Sequence, residues 1–186
     1  MDAIWALHNR VSVGQLKEPA PNAEQRQRIF RAALRAADHA NLRPWRFLVV
    51  EGDARAALGE VFVQACNAQG DMSDFQVDRT RGLPQRAPLI VVAVTCTSEH
   101  PKVPLIEQRM STAGAVQALL TAAFAEGVGA YWRTGDLAFN RDVHDGLGLA
   151  ANEEIAGFIY MGTPKNPPRE APQLAVEDYF SSWTAK

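Results

Sequence analysis

The sequence predicts an α+β domain, with an α/β arrangement as the other reading: four or five strands in one central sheet, with helices on both faces. Three observations carry this. Ile106–Gly135 reads as one long apolar helix followed by a short strand. Pro88–Cys96, PLIVVAVTC, is a short, continuous, β-branched run, the pattern of a central strand buried on both faces. The whole chain runs helix, helix, strand, helix, strand, long helix, strand, helix, strand, tail, an order that packs into helix and sheet layers. With 186 residues and 47% hydrophobic content, residues 1–186 suffice for one domain with a core and are too few for two.

In chain order, Asp2 is placed to cap a short helix, Ala3 to Asn9, with Ile4 and Leu7 on one face. KEPAPN, residues 17–22, breaks the chain, and Asn22 is expected to cap a helix from Ala23 to Ala37. Ile29, Phe30, Ala33, Leu34 and Ala37 would face inward from it. Residues 38–44, DHANLRP, form a loop in which Pro44 pushes residue 43 away from the α region. Trp45–Glu51 is a strand, Gly52 a turn and Asp53 a cap for a helix from Ala54 to Gln69, with Leu58, Val61, Phe62 and Ala65 inward. Residues 70–86 are polar with few apolar positions, which suggests a mobile flap.

The long helix is apolar nearly all round between Ala113 and Ala125, so it is expected to be buried. Ser111, Ala115, Ala118, Ala122 and Ala125 form a stripe of small residues where another backbone could approach. Gly127 sits where a left-handed cap ends such a helix. Val128–Trp132 is a strand, and Arg133, Thr134 and Gly135 follow with main-chain N–H groups free to meet a ligand. Asn140 is expected to cap a short helix to Leu147. Ile155–Met161 is an inner strand that Gly162–Pro164 ends. The tail, residues 165–186, holds Leu174, Val176, Tyr179, Phe180 and Trp183, which should pack on this subunit or on a partner.

A net charge of −2 does not suggest nucleic acid. The charge is uneven: residues 1–50 carry eight Lys/Arg against four acids, which suits a small anionic ligand. Arg26, Arg28 and Arg31 read as a solvated basic face. Cys66 and Cys96 lack metal-ligand spacing, so no metal site is expected and both should be reduced thiols of a cytoplasmic protein. The N-terminus lacks a basic n-region before an apolar stretch, which argues against a signal peptide. No apolar run reaches the ~18 residues of a membrane span.

Hydrolase chemistry finds no support. There is no G-x-S-x-G elbow, and His8, His39, His100 and His144 lack a neighbouring nucleophile signature. His144 reads as a helix-surface residue. Asp38-His39 reads as a loop cap rather than an acid/base pair. The Rossmann fingerprint is absent, since Gly127-Val128-Gly129 follows a helix and precedes a strand.

Three pieces are more informative together. They are Arg10-Val11-Ser12 after the first helix, Asp38-His39 with Pro44-Trp45 entering the first strand, and Trp132-Arg133-Thr134-Gly135 after the long helix. With EPAP near Glu18, RAPLI at Arg86, KVP at Lys102 and the closing GFIYMGTP, their order and spacing resemble the nitroreductase family. The likeness is to its small bacterial NAD(P)H-dependent members and runs from Met1 to about Pro164.

That resemblance implies a mainly antiparallel sheet of four to five strands, and a long helix at the interface of a homodimer. It implies FMN bound between the subunits, NADH or NADPH as donor, and a small conjugated acceptor such as a nitroaromatic or quinone. Two-electron hydride transfer would run through a ping-pong cycle. Arg10, Val11 and Ser12 would hold the phosphate and ribityl end, with Val11, where relatives often carry a second arginine, offering only its main-chain N–H. Trp132, Arg133 and Thr134 would lie along the flavin ring, and Arg35 and His39 would approach from the other subunit. Ala122, Ala123, Phe124, Ala125, Glu126 and Gly127 match a segment linked with the nicotinamide nucleotide. No catalytic side chain is implied, because the flavin supplies the redox chemistry. A flavin carrier or redox sensor, or a cofactor-free dimer module, are the competing readings.

Overall fold

The computed structural model describes residues 2–185; Met1 and Lys186, the ends of the expected domain, lie outside the described residues. Five strands form one sheet: β1 (Leu16–Lys17), β2 (Trp45–Glu51), β3 (Leu89–Cys96), β4 (Gly129–Arg133) and β5 (Glu153–Pro164). β2, β3 and β5 lie side by side, and β4 and β1 share the far edge of β5. Every pairing is antiparallel.

The alternation of side chains along the strands divides the core into two layers. Ile90, Val92 and Val94 of β3 face one way, with Ile155, Phe158 and Tyr160 of β5, onto α3 (Ala54–Asn67) and α7 (Arg141–Gly146). Leu89, Val91 and Ala93, with Ile159 and Met161, face the other way, onto α2 (Ala23–Ala33) and α5 (Leu105–Ala125). β3 is therefore covered on both faces, as its unbroken apolar run requires.

Local chemistry explains the helix ends. Asp2 accepts from Trp5 N–H at the start of α1 (Ala3–Asn9). Asn22 and Gln25 make a reciprocal capping box at the start of α2. Gly127, at φ +72°, ends α5, with Gly127 N–H bonded to the Phe124 carbonyl and Val128 N–H to that of Ala123. This double closure turns the chain straight into β4.

Several expectations fail for identifiable reasons. α2 stops at Ala33 rather than Ala37, leaving Leu34 and Ala37 exposed, because the 38–44 loop takes over the chain path. Asp53 makes no side-chain cap, being itself in the α region, and α3 ends at Asn67. The expected flap folds into α4 (Asp74–Arg81), opened by a Ser73–Gln76 capping box, and a 3-10 turn, Leu83–Arg86. Gly162–Pro164 does not end the last strand but extends it, because β1, absent from the sequence reading, pairs there. A short α6 (Asp136–Phe139) was also not foreseen.

α5 is not buried all round. Thr112, Ala115, Val116, Leu119, Leu120 and Ala123 are buried against the sheet, whereas Met110, Gly114, Gln117 and Ala125 remain exposed. The small-residue stripe straddles this boundary. Ile4 and Leu7 of α1 are more than half exposed beside it. The tail aromatics find no core in this chain: Tyr179, Phe180 and Trp183 are 69%, 77% and 87% exposed.

The supposedly solvated arginines are partly engaged. Arg26 pairs with Glu51 and Arg28 with Glu126, each through two hydrogen bonds. Only Arg31 fits the original reading.

One pair clamps the end of the sheet. Arg46 of β2 makes two bonds to Glu153 of β5, at 2.6 and 2.7 Å, across β3. That bidentate bond holds the Glu153 carboxyl at about 2, against its desolvation. Burial, helped by Glu153, pushes the Cys96 thiol up to about 11, so it is unreactive. A carboxylate depressed in the native state contributes stability above its unfolded value of 4.5, lost as pH falls towards 2. Allowing for the half-open Arg46, urea titrations should show about 2–3 kcal/mol disappearing between pH 5 and 2. Glu153→Gln should be less stable at neutral pH and lack most of this acid loss. An equal acid loss in the variant would assign the effect elsewhere.

Candidate functional site

The Arg10–Gly14 segment leaves α1 and runs beside β4. Val13 N–H donates to the Ala130 carbonyl at 2.9 Å, and Gly14 lies against the ring of Tyr131. Val11 is buried, Arg10 half-buried and Ser12 exposed. Among the described residues, neither the Arg10 guanidinium nor the Ser12 hydroxyl has a protein partner. The fold thus brings a free cation and a free hydroxyl alongside the strand whose exit carries Trp132, Arg133 and Thr134.

β4 is fixed by packing. The Trp132 indole N–H donates to the Ala156 carbonyl at 3.0 Å, pinning β4 to β5. Arg133 points to the opposite face, its guanidinium 4.2 Å from the Tyr131 ring centre and 5.4 Å from that of Tyr160. Its Nε–H is buried without an acceptor. Gly135, at φ +85°, turns the chain into α6 and has open space on its Cα. A cleft of about 410 Å³ lies here, lined by Trp132 to Gly135, Arg86, Leu83 and aromatic rings.

Arg35 and His39 sit elsewhere in the chain. Arg35 lines a second cleft with Asp38, Asn41, Arg43 and Trp45, which Arg10, Ser12 and Trp132–Thr134 do not line. The 38–44 loop is conformationally tight: Ala40, Asn41 and Arg43 all have positive φ, at 62°, 55° and 49°. Residue 43 is indeed driven from the right-handed α region, but into the left-handed one. Such positions persist only where their surroundings overdetermine them. Here the Asp38 carboxylate accepts from Arg43 N–H at 2.7 Å, and Thr112 of α5 donates to the Pro44 carbonyl at 2.8 Å. Asp38 is therefore the loop cap expected. The His39 ring meets Glu107 Oε2 at 2.7 Å rather than Asp38.

Ala122–Gly127 forms the last turn of α5 and its cap, with Phe124 stacked on Trp5. His144 is not a surface residue: it is buried, and its Nε2 lies 2.9 Å from the Ala138 carbonyl, tying α7 to α6. No cluster able to hold a metal occurs among the described residues.

Sequence reasoning missed Tyr131, Tyr160, Arg86 and Glu107. Tyr131 lies one residue before a noticed motif, and strand alternation would have placed it with Arg133 on one face. Arg86, Tyr160 and Glu107 are assembled only by the tertiary fold.

This architecture, a helix-flanked antiparallel sheet with clefts at the strand exits, is that of nitroreductase-like α+β proteins. A nitroreductase-like protein from Bacillus cereus superposes with a TM-score of 0.84 at 19% identity, covering 100% of this chain and 97% of that one. A protein from Desulfovibrio desulfuricans described as a "putative nitroreductase in complex with fmn" gives a TM-score of 0.75 at 20% identity, covering 100% of this chain and 99% of that one. The chain belongs to the nitroreductase family, whose description, "Nitroreductase family", matches residues 7–163. It is 44% identical over 165 residues to "Putative NAD(P)H nitroreductase YdjA" of Escherichia coli (strain K12), covering 89% of this chain and 90% of that protein.

Proposed function

We propose that this protein is an FMN-dependent NAD(P)H oxidoreductase, a cytoplasmic homodimer that reduces small conjugated acceptors such as nitroaromatics or quinones. The observation that carries the reading is the Arg10–Ser12 segment laid against β4, with a cation and a hydroxyl that no group among the described residues satisfies. These residues fit a phosphate-bearing cofactor: arginine matches phosphate in two-pronged geometry, and an exposed serine hydroxyl can donate beside it. Family membership and the FMN held by the Desulfovibrio relative support the same assignment.

In this reading Arg10 and Ser12 hold the phosphate and ribityl end, with the Val11 main-chain N–H beside them. The Trp132–Thr134 main chain lines the ring, held in place by the Trp132 indole bond to β5. Arg35 and His39 come from a second copy, which agrees with Arg35 lining a cleft apart from Arg10. His39 arrives oriented by Glu107. The redox chemistry, two electrons taken from NADH or NADPH and passed to the acceptor, is what FMN supplies when bound. Ala122–Gly127 would serve the nicotinamide nucleotide. The second copy would dock on the exposed face of α5, an open groove that Ala3, Leu7, Gly114 and Ala118 line, and would receive the tail aromatics.

The test is the absorption spectrum of the purified protein, followed by anaerobic titration with NADH and NADPH. Flavin absorbance at about 450 nm that bleaches at a useful rate is expected. Bleaching too slow for turnover would indicate a carrier or sensor. A colourless protein that cannot be loaded with FMN would refute the proposal. Light scattering should give twice the chain mass.

A further inference from the structure

Some arginines of this protein are matched by a carboxylate and others are not. Arg26, Arg28, Arg46, Arg81 and Arg109 each meet a glutamate at hydrogen-bonding distance. Arg133 and Arg86 do not, among the described residues, and both line the cleft of about 410 Å³ at the exit of β4. No aspartate or glutamate lines it with them.

The cleft is arranged around this unbalanced charge. The Arg133 guanidinium is held over the Tyr131 and Tyr160 rings, and its Nε–H is buried with no acceptor among the described residues. A buried donor without an acceptor is rare in folded proteins and calls for an explanation, and here the surrounding cleft offers one: an acceptor supplied from outside. Burial raises the Tyr160 phenol, while the charges of Arg133 and Arg86 both pull it down. Phe62 and Phe158 form an apolar floor in edge-to-face contact, their centres 5.3 Å apart. Exposed Thr134 and Gly135 also line the cleft. A few placed polar groups over an aromatic floor, in a space of a few hundred Å³, is the usual form of a small-ligand site.

We infer that this cleft binds the acidic group of a small aromatic anion, a carboxylate of the benzoate class. Resting on the oxidoreductase reading above, acceptors that carry such a carboxylate are then preferred over neutral ones. The planar guanidinium fork matches a carboxylate, and its partial burial strengthens the pairing. The aromatic floor recognises the ring. Phosphate shares the charge but not the ring, so the cofactor's own phosphate is the other possible source of the anion.

Calorimetric titration of the purified protein with benzoate, benzamide and inorganic phosphate separates these. Benzoate should bind at least tenfold more tightly than its neutral isostere benzamide and than phosphate. Arg86→Gln, at an exposed position where folding is not at stake, should weaken benzoate at least tenfold. In turnover, the same substitution should lower the kcat/KM preference for 4-nitrobenzoate over nitrobenzene by a similar factor. Equal binding of benzoate and benzamide, no benzoate binding, or an unaffected Arg86→Gln protein would overturn the inference. So would tighter phosphate binding, or an Arg86→Gln protein that loses FMN affinity but not riboflavin affinity. Flavin turnover without charge discrimination would remove this site and leave the oxidoreductase. Charge-selective benzoate binding by a protein that cannot be loaded with FMN would do the reverse.

Discussion

Gly157→Ala should cost about 3–5 kcal/mol of folding stability, combining a strained backbone with an overfilled contact. Gly157 sits in β5 at φ +155°, a conformation that side-chain-bearing residues rarely adopt. The register between β3 and β5 slips by one residue here: Ala93 pairs with Gly157, but Val94 pairs with Ile155. Ala156 is the extra residue of this bulge, and its freed carbonyl receives the Trp132 indole. A Cβ on Gly157 would fall inside the Trp132 ring and 2.9 Å from the Arg133 carbonyl. Neither neighbour can yield cheaply, since one is a pinned indole and the other is backbone. β4 would be pushed off β5 just where Trp132–Thr134 leave the sheet.

Gly70 supplies the control. It also has φ +155°, but nothing lies within 4 Å of where its Cβ would stand. Gly70→Ala should therefore lose only the conformational part, about 1–2 kcal/mol. Urea unfolding followed by tryptophan fluorescence measures both. Similar losses in the two variants would show that the Trp132 contact adds nothing and that the bulge does not hold β4.

The bulge also shows where the sequence stops being informative. Sheet strands, long helix and caps were legible because each rests on local chemistry. The apolar run of β3 has one reading as a strand, and Gly127 has one reading after the long apolar helix. Asn22 and Asn140 both cap as their side chains allow. By contrast, β1 is only two residues long and exists because the far end of β5 offers it an edge. No periodicity can signal a two-residue strand. The 70–86 segment looked unstructured because its composition is polar, yet Ser73 and Gln76 stood at capping-box spacing in plain view. His144 misled for a related reason. Its neighbours Arg141, Asp142 and Asp145 are exposed, and only the packing of α7 on α3 and α6 buries the histidine.

The candidate site divides the same way. Arg10–Ser12 and Trp132–Thr134 were recognisable as motifs, and the fold sets these segments along the same strand. What the motifs could not convey is which way each side chain points. Val11 is buried, so position 11 presents a core side chain and only its main chain to a ligand. Arg133 turns from the Trp132 face toward Tyr131 and Tyr160, so its charge serves a different cleft wall from its main chain. Strand alternation implies that split, but only the fold identifies what stands on the far side.

Arg10→Ala should weaken FMN binding by about 2–4 kcal/mol, the loss of a charge-assisted contact to a dianion. That is on the order of 30- to 1,000-fold in Kd. The argument rests on what Arg10 lacks and where it stands. It is half-buried at the end of α1, its N–H is spent on the Ala6 carbonyl, and its guanidinium has no carboxylate partner among the described residues. Removing it breaks no internal ion pair, so the melting temperature of the flavin-free protein should hardly move. Because Val11 is turned into the core, position 11 offers no second side-chain cation to the phosphate. Riboflavin, which has the same ring and no phosphate, should bind parent and variant alike. Fluorescence titration of the flavin-free protein with both ligands gives the comparison. Equal losses for FMN and riboflavin would mean that Arg10 shapes the segment rather than reading the phosphate, and an unchanged FMN affinity would remove it from the site.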